Sequence, residues 1–212
     1  MKQTGIFMGR VKVLYSWGRY GWTRGNGTTW HGGIDLVGMD DKTIYMPYYR
    51  YKGADGSYQY KKITGTVTRS RIVWDKTNKT WEWGYYICVQ LDDAQTPDTV
   101  NFLYFCHCSS LLVKTGTKVS SGDKLAVMGM TGNAATANPA YAHCHFEVRA
   151  TATGKGVNPC AYAGCDNAIG VYENKADEPL KRMVTQPMSE GDLQRMEALA
   201  AELGLQYSVE IA

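Results

Sequence analysis

Over most of its length the chain alternates apolar and polar residues rather than repeating them at helical spacing, the signature of strands half buried in a sheet. Residues 11–15 (VKVLY), 43–47 (TIYMP), 63–74 (ITGTVTRSRIVW), 83–91 (WGYYICVQL), 100–106 (VNFLYFC), 123–128 (DKLAVM) and 143–149 (HCHFEVR) read as strands. Turn chemistry falls between them. "DKTNKT" after Trp74 and "GADGS" at 53–57 predict hairpins, and Gly122 in "SSGDK" stands where a tight turn needs a positive φ. The expected fold class is mainly β, a meander-rich antiparallel sheet over residues 1–165.

Beyond that point the pattern changes. Residues 166–188 are polar, carry Pro179 and Pro187 and lack a period, which predicts a linker or a strap over the domain surface. Residues 189–212 predict a C-terminal helical appendage. Ser189 is its expected N-cap, with Asp192 three residues on, and Leu193, Met196, Leu199, Ala200 and Leu203 form its apolar stripe before Gly204 as C-cap. Such a helix would dock on its own domain or on a partner; nothing in it is catalytic.

Composition narrows the class. With 212 residues, 44% hydrophobic and 20% charged, the chain is globular, and no stretch reaches the roughly 18–20 apolar residues of a membrane span. A net charge of +3, spread without a basic stripe, argues against nucleic acid as partner. No apolar h-region follows Lys2, so no secretory signal is visible.

The chemistry lies in the histidines. There are four in the chain, His31, His107, His143 and His145. In an extended strand His143 and His145 emerge on one face, and two imidazoles on one face suit a metal. Asp35 follows His31 by four residues, and the two glycines of "WHGGID" allow a turn that brings both side chains to one point. Imidazole and carboxylate donors fit zinc, and three protein ligands with a water in the fourth position is the usual catalytic arrangement.

"YSWGRY", "WHGGIDLVG", "ITGTV", "LYFCHCSSLLVKTGTKVSSGDKLAVMGMTG", "HCHFEV" and "VNPC" follow one another in an order that resembles the lysostaphin-type zinc metallopeptidases, which are peptidoglycan endopeptidases. The resemblance spans about residues 11–165. It implies an antiparallel sheet with an open groove between sheet and loops, and one zinc ion held by His31, Asp35 and His145. It further implies His143 as the base and His107 as transition-state stabiliser, with the roles exchangeable. The expected partner is bacterial peptidoglycan and the place of action the cell wall, extracellular or periplasmic; a phage-encoded or virion-associated enzyme would reconcile that with the missing signal. Two stretches depart from the family pattern, "YYRYKGADGSYQYKK" after Pro47 and "NPAYA" before His143, and both are expected to wall the groove.

Six cysteines complete the inventory. Strand alternation places Cys106 and Cys108 away from His107, and Cys144 away from His143 and His145, in the layer behind the site, as small buried hydrophobes of a reducing compartment. A Cys160–Cys165 disulfide and a structural zinc site built on these cysteines are the alternatives. Two other classes compete with an enzyme: a non-catalytic wall-binding or activator module on the same fold, and a structural zinc or redox protein. Tyr15, Tyr20 and Tyr141 lie near motif blocks, and the sequence does not rank them.

Overall fold

The computed structural model describes residues 2–93, 95–176 and 189–202. The strands are β1 (Lys2–Gln3), β2 (Gly9–Val13), β3 (Gly21–Arg24), β4 (Thr29–His31), β5 (Ile34–Gly38), β6 (Thr43–Tyr45), β7 (Tyr49–Lys52) and β8 (Tyr58–Lys61). They continue as β9 (Thr64–Arg71), β10 (Tyr85–Leu91), β11 (Phe102–Leu111), β12 (Lys118–Ser120), β13 (Lys124–Met128), β14 (Cys144–Arg149) and β15 (Gly170–Ala176), with a one-turn helix α1 (Cys160–Ala163) before the last. Eleven strands make one sheet in the order β1-β15-β2-β5-β14-β11-β10-β9-β12, with β13 and β6 added beside β11. All its pairings are antiparallel, as the alternation predicts.

Both expected hairpins form. β9 pairs with β10 across the 75–80 turn, and β7 pairs with β8 across 53–57. Gly122 has φ +96°. The expected linker or strap, however, begins inside the sheet: Gly170–Ala176 is β15, paired to β2 on one side and β1 on the other. Its sequence GVYENKA hides the strand because its apolar residues do not alternate: Val171 and Tyr172 are adjacent, and Val171 is exposed while Tyr172 packs on the main core.

The main core lies on one face of the sheet, where Ile34, Leu36, Ile87, Leu103, Phe105, Cys108, Cys144, Phe146 and Val148 are buried together. A smaller cluster on the other face joins Tyr86, Cys88, Tyr104 and Cys106. Strand β11 shows why. Leu103 and Phe105 point to the main core and Tyr104 and Cys106 away from it, but Cys108 returns to the main core. Two residues of β10 (Tyr85, Ile87) oppose Cys108 and Phe105 of β11, so β11 carries an extra residue there, a bulge. His107 sits in it with φ +65°, a left-handed conformation that non-glycine residues rarely adopt.

The chain divides into two compact units, Met1–Asp177 and Glu178–Ala212. In the second, helix α2 (Glu190–Glu202) starts where expected: the Asp192 N–H donates to Ser189 Oγ at 3.2 Å, and the Ser189 hydroxyl donates to the Asp192 carboxylate at 2.6 Å. Leu203 and Gly204 lie outside the described residues. Among the described residues, no helix is long and apolar enough to cross a membrane.

Candidate metal centre

Three neighbouring strands build the floor of the site. Asp35 on β5 is directly opposite His145 on β14, and His145 is opposite Cys106 on β11, so the three share one face of the sheet. His31 ends β4, and its Nε2 lies 3.3 Å from Asp35 Oδ1. His145 Nδ1 is 2.9 Å from His31 Nε2 and 3.0 Å from Asp35 Oδ1. Four donors arranged tetrahedrally around zinc at 2.0–2.1 Å stand roughly 3.3 Å apart, so this triangle is close to the size the ion needs. Among the described residues, His31, Asp35 and His145 are the cluster able to hold a metal, and no cysteine contributes to it.

Backbone carbonyls set the tautomers, as assigned from hydrogen-bond partners. His31 Nδ1–H donates to Arg19 O at 2.8 Å, leaving Nε2 as a lone pair toward the cluster. His145 Nδ1 also points there. Two basic nitrogens and a carboxylate oxygen within about 3 Å require a cation between them, a proton or a metal.

The electrostatics say the same. Burial would raise Asp35, but hydrogen bonds from His145 and His31 hold it well below the usual carboxylate range. Burial would lower His145, yet its bonds to Asp35 and Glu147 outweigh that and push it up to about 9. His31 is lowered, burial exceeding the help from Asp35.

The other two histidines stand beside this cluster. His143 Nδ1–H donates to Tyr141 O at 3.0 Å, which turns Nε2 to within 3.7 Å of Asp35 Oδ1. His107 Nδ1–H donates to Thr131 O at 2.9 Å, and its ring lies 4.8 Å from that of His143 and 6.0 Å from that of His145. Burial lowers both, His107 to about 3, so each is neutral at pH 7 with a lone pair on Nε2. The positive φ of His107 serves this placement: the bulge brings it to the same side as Cys106, where an unbroken strand would have sent one of them through the sheet.

An open cleft of about 1000 Å³ lies over these side chains. Its walls include Trp17, Trp22, Arg24, Trp30, Trp83 and Tyr141. Tyr141 is thus the groove tyrosine, stacked on His143 at 4.2 Å with its hydroxyl pKa raised by burial. Tyr15 packs behind it, and the Tyr20 hydroxyl is engaged by Gly156 O.

The structure departs from expectation in several places. The "NPAYA" stretch does wall the cleft through Asn138 and Tyr141, but 48–62 does not: its Arg50 bonds Cys165 O and Asp166, and Tyr49 packs on Tyr162. Cys108 and Cys144 lie behind the site; Cys106 does not, because its register opposite His145 puts it on the site face, and the bulge that follows keeps His107 on that face and returns Cys108 to the core. All six cysteines are free thiols. The glycines of "WHGGID" supply close approach rather than a turn. Neither has a positive φ, and a Cβ on Gly33 would stand 2.9 Å from His145 Cε1, one on Gly32 2.8 Å from Glu147 Oε1.

Two charged residues were not anticipated. Arg24 on β3 donates to Asp35 Oδ2 and approaches His31 Nε2, both at 2.9 Å. No spacing in the sequence announces it. Glu147 is 7% exposed and lies 3.5 Å from His145 Nε2. The period-two run His143, His145, Glu147, Arg149 does carry that signal.

Residues 52–159, about half the chain and including His107, His143 and His145, match the model of Peptidase family M23. Solved structures similar to this chain include the catalytic domain of lysostaphin from Staphylococcus simulans, at 19% identity over 67% of this chain and 85% of that one, with TM-score 0.44. A mutant catalytic domain of the prophage-encoded M23 protein EnpA from Enterococcus faecalis has 21% identity over 69% and 88%, with TM-score 0.44. A zinc-containing peptidase from Vibrio cholerae has 19% identity over 74% and 39%, with TM-score 0.42. No curated protein matches. A family match over half of its length, on a sheet that gathers four histidines and an aspartate beneath one cleft, shows that this chain belongs to peptidase family M23.

Proposed function

We propose that the chain is a zinc-dependent endopeptidase that hydrolyses peptide bonds of bacterial peptidoglycan, in stems or cross-bridges, and so works at the cell wall. The observation that carries the reading is the triangle of His31 Nε2, Asp35 Oδ1 and His145 Nδ1, with two neutral imidazoles beside it in an open cleft. One zinc ion on these three donors would act as a Lewis acid toward a scissile carbonyl and the attacking water.

The protein's own groups do the rest. His143, with Nδ1 tied to a carbonyl and Nε2 turned to the ligand cluster, takes a proton from the water and later returns it to the leaving amine. His107 starts as an acceptor. Its bare Nε2 can take the water's proton in place of His143. Whichever imidazole has taken that proton donates it toward the developing oxyanion before passing it to the leaving amine, so the two can exchange roles. The aromatic walls hold an extended peptide and keep water away from its unreactive parts.

The test is the zinc content of purified protein beside release of new amino groups from purified peptidoglycan, for wild type and His145→Ala. One zinc and amine release in the wild type, both lost in the variant, is the expected result. Zinc unchanged by the substitution would sink the ligand assignment, and zinc without amine release would indicate a wall-binding module.

A further inference from the structure

His145 has two ring nitrogens, and nothing in the metal triangle itself decides which one faces it. Around the other nitrogen the fold has built a second, buried assembly. Glu147, two residues on along β14 and on the same face, brings Oε2 to 3.5 Å from His145 Nε2. Arg149, two further on, grips both oxygens of that carboxylate: Nε donates to Oε1 and Nη2 to Oε2, each at 2.9 Å. The guanidinium is fixed in turn by two rings, lying 4.6 Å from the centre of Tyr104 and 5.2 Å from that of Trp83. Tyr104 is anchored through its hydroxyl to Ala152 O at 2.6 Å. The His145 ring lies over Gly33, where a Cβ would stand 2.9 Å from Cε1 and 3.0 Å from Nε2, so the ring's place depends on a glycine there.

We propose that Glu147, oriented by Arg149, is a positioning residue: it accepts the Nε2–H of His145 and thereby commits Nδ1 to the metal. The inference rests on the reading of His145 as a zinc ligand. A carboxylate accepting from the remote nitrogen of a ligating histidine fixes both ring orientation and tautomer, and losing such a partner typically weakens metal binding about 10–100-fold. What marks this pair as more than a surface ion bridge is its burial, with side chains 9% and 12% exposed, and its bidentate geometry.

Glu147→Gln tests it. The amide has a single oxygen, so it cannot hold Arg149 bidentately: with its NH2 at the Oε2 position a donor faces both His145 Nε2 and Arg149 Nη2, and with its NH2 at the Oε1 position a donor faces Arg149 Nε and the grip that orients the group is halved. Zinc affinity, measured by chelator competition, is expected to fall at least tenfold. Nitrogen-15 spectra of the zinc-loaded wild type should show His145 coordinated through Nδ1 with a proton on Nε2, a signature that weakens in the variant and returns when carboxylate is restored in Glu147→Asp. A folded Glu147→Gln protein with wild-type zinc affinity and an unchanged His145 signature overturns the proposal. So does a zinc-loaded wild type coordinated through Nε2, a result that holds even if the variant fails to fold. Separately, His145→Ala binding zinc as tightly as wild type would bring down the ligand reading and the proposal with it.

Discussion

Two neighbouring rows of side chains cross the same three strands one residue apart, and they could hardly differ more. Ile34, Phe146 and Phe105 face one another across β5, β14 and β11, continuing to Ile87 on β10, and all four are fully buried in the main core. Asp35, His145 and Cys106 form the adjacent row and point to the cleft side. The apolar row holds the strands in register. Slipping β14 by one residue would turn Phe146 toward the cleft and bury His145 in the apolar core, so the register that stabilises the sheet also assembles the metal triangle. Stability and chemistry are thus separated by one step along the chain, which makes the comparison easy to break experimentally.

The largest effect belongs to the polar side. His143→Ala should lower peptidoglycan hydrolysis by about 10²–10⁴-fold while zinc content stays at the wild-type level, because His143 stands beside the triangle without belonging to it. Loss of zinc in that variant would place His143 among the ligands. Next comes the apolar side: Phe105→Ala empties a site packed 5.1 Å from Phe146 and should cost about 3–5 kcal/mol in denaturant unfolding, with zinc affinity of the folded fraction within about threefold of wild type. A large affinity change at unaltered stability would show that the two rows are not separable.

A smaller effect comes from protons. With its pKa raised to about 9, His145 carries a proton at pH 7 that zinc must displace, whereas His31 is lowered and Asp35 already ionised. Zinc affinity should therefore rise by about tenfold per pH unit as pH increases toward 9, with about one proton released per ion at pH 7. Titration calorimetry in buffers of different ionisation enthalpy counts that proton; no release would contradict the charged state of His145. In chelator-treated protein the same group stabilises the fold fully below pH 6.5, and that contribution is lost as pH rises through about 9. Glu147, depressed to about 2, contributes in the opposite window: its stabilisation is present above pH 4.5 and disappears as pH falls through 2.

In the second unit, Ser189→Ala removes the cap of α2 and should cost about 0.5–2 kcal/mol of helix stability, read as faster amide exchange at Asp192 and unchanged hydrolysis.

What the sequence determined by itself was whatever depends on local order. Period-two alternation marked the central strands, Gly122 its turn, Ser189 its helix start. The HxH spacing put His143 and His145 on the cleft side because a strand leaves them no other choice. Tertiary structure decided whatever depends on distant chain segments or on breaking the local rule. β15 was invisible because its partners β2 and β1 lie more than 150 residues earlier and its apolar residues Val171 and Tyr172 are adjacent rather than alternating. His107 stands on the site face beside Cys106 because one inserted residue with a left-handed backbone interrupts the alternation that would have separated them. Arg24 reached Asp35 from a hairpin with no spacing of its own to announce it. Local spacing fixes which face a side chain leaves from; only the pairing of strands far apart in the chain fixes what it meets there.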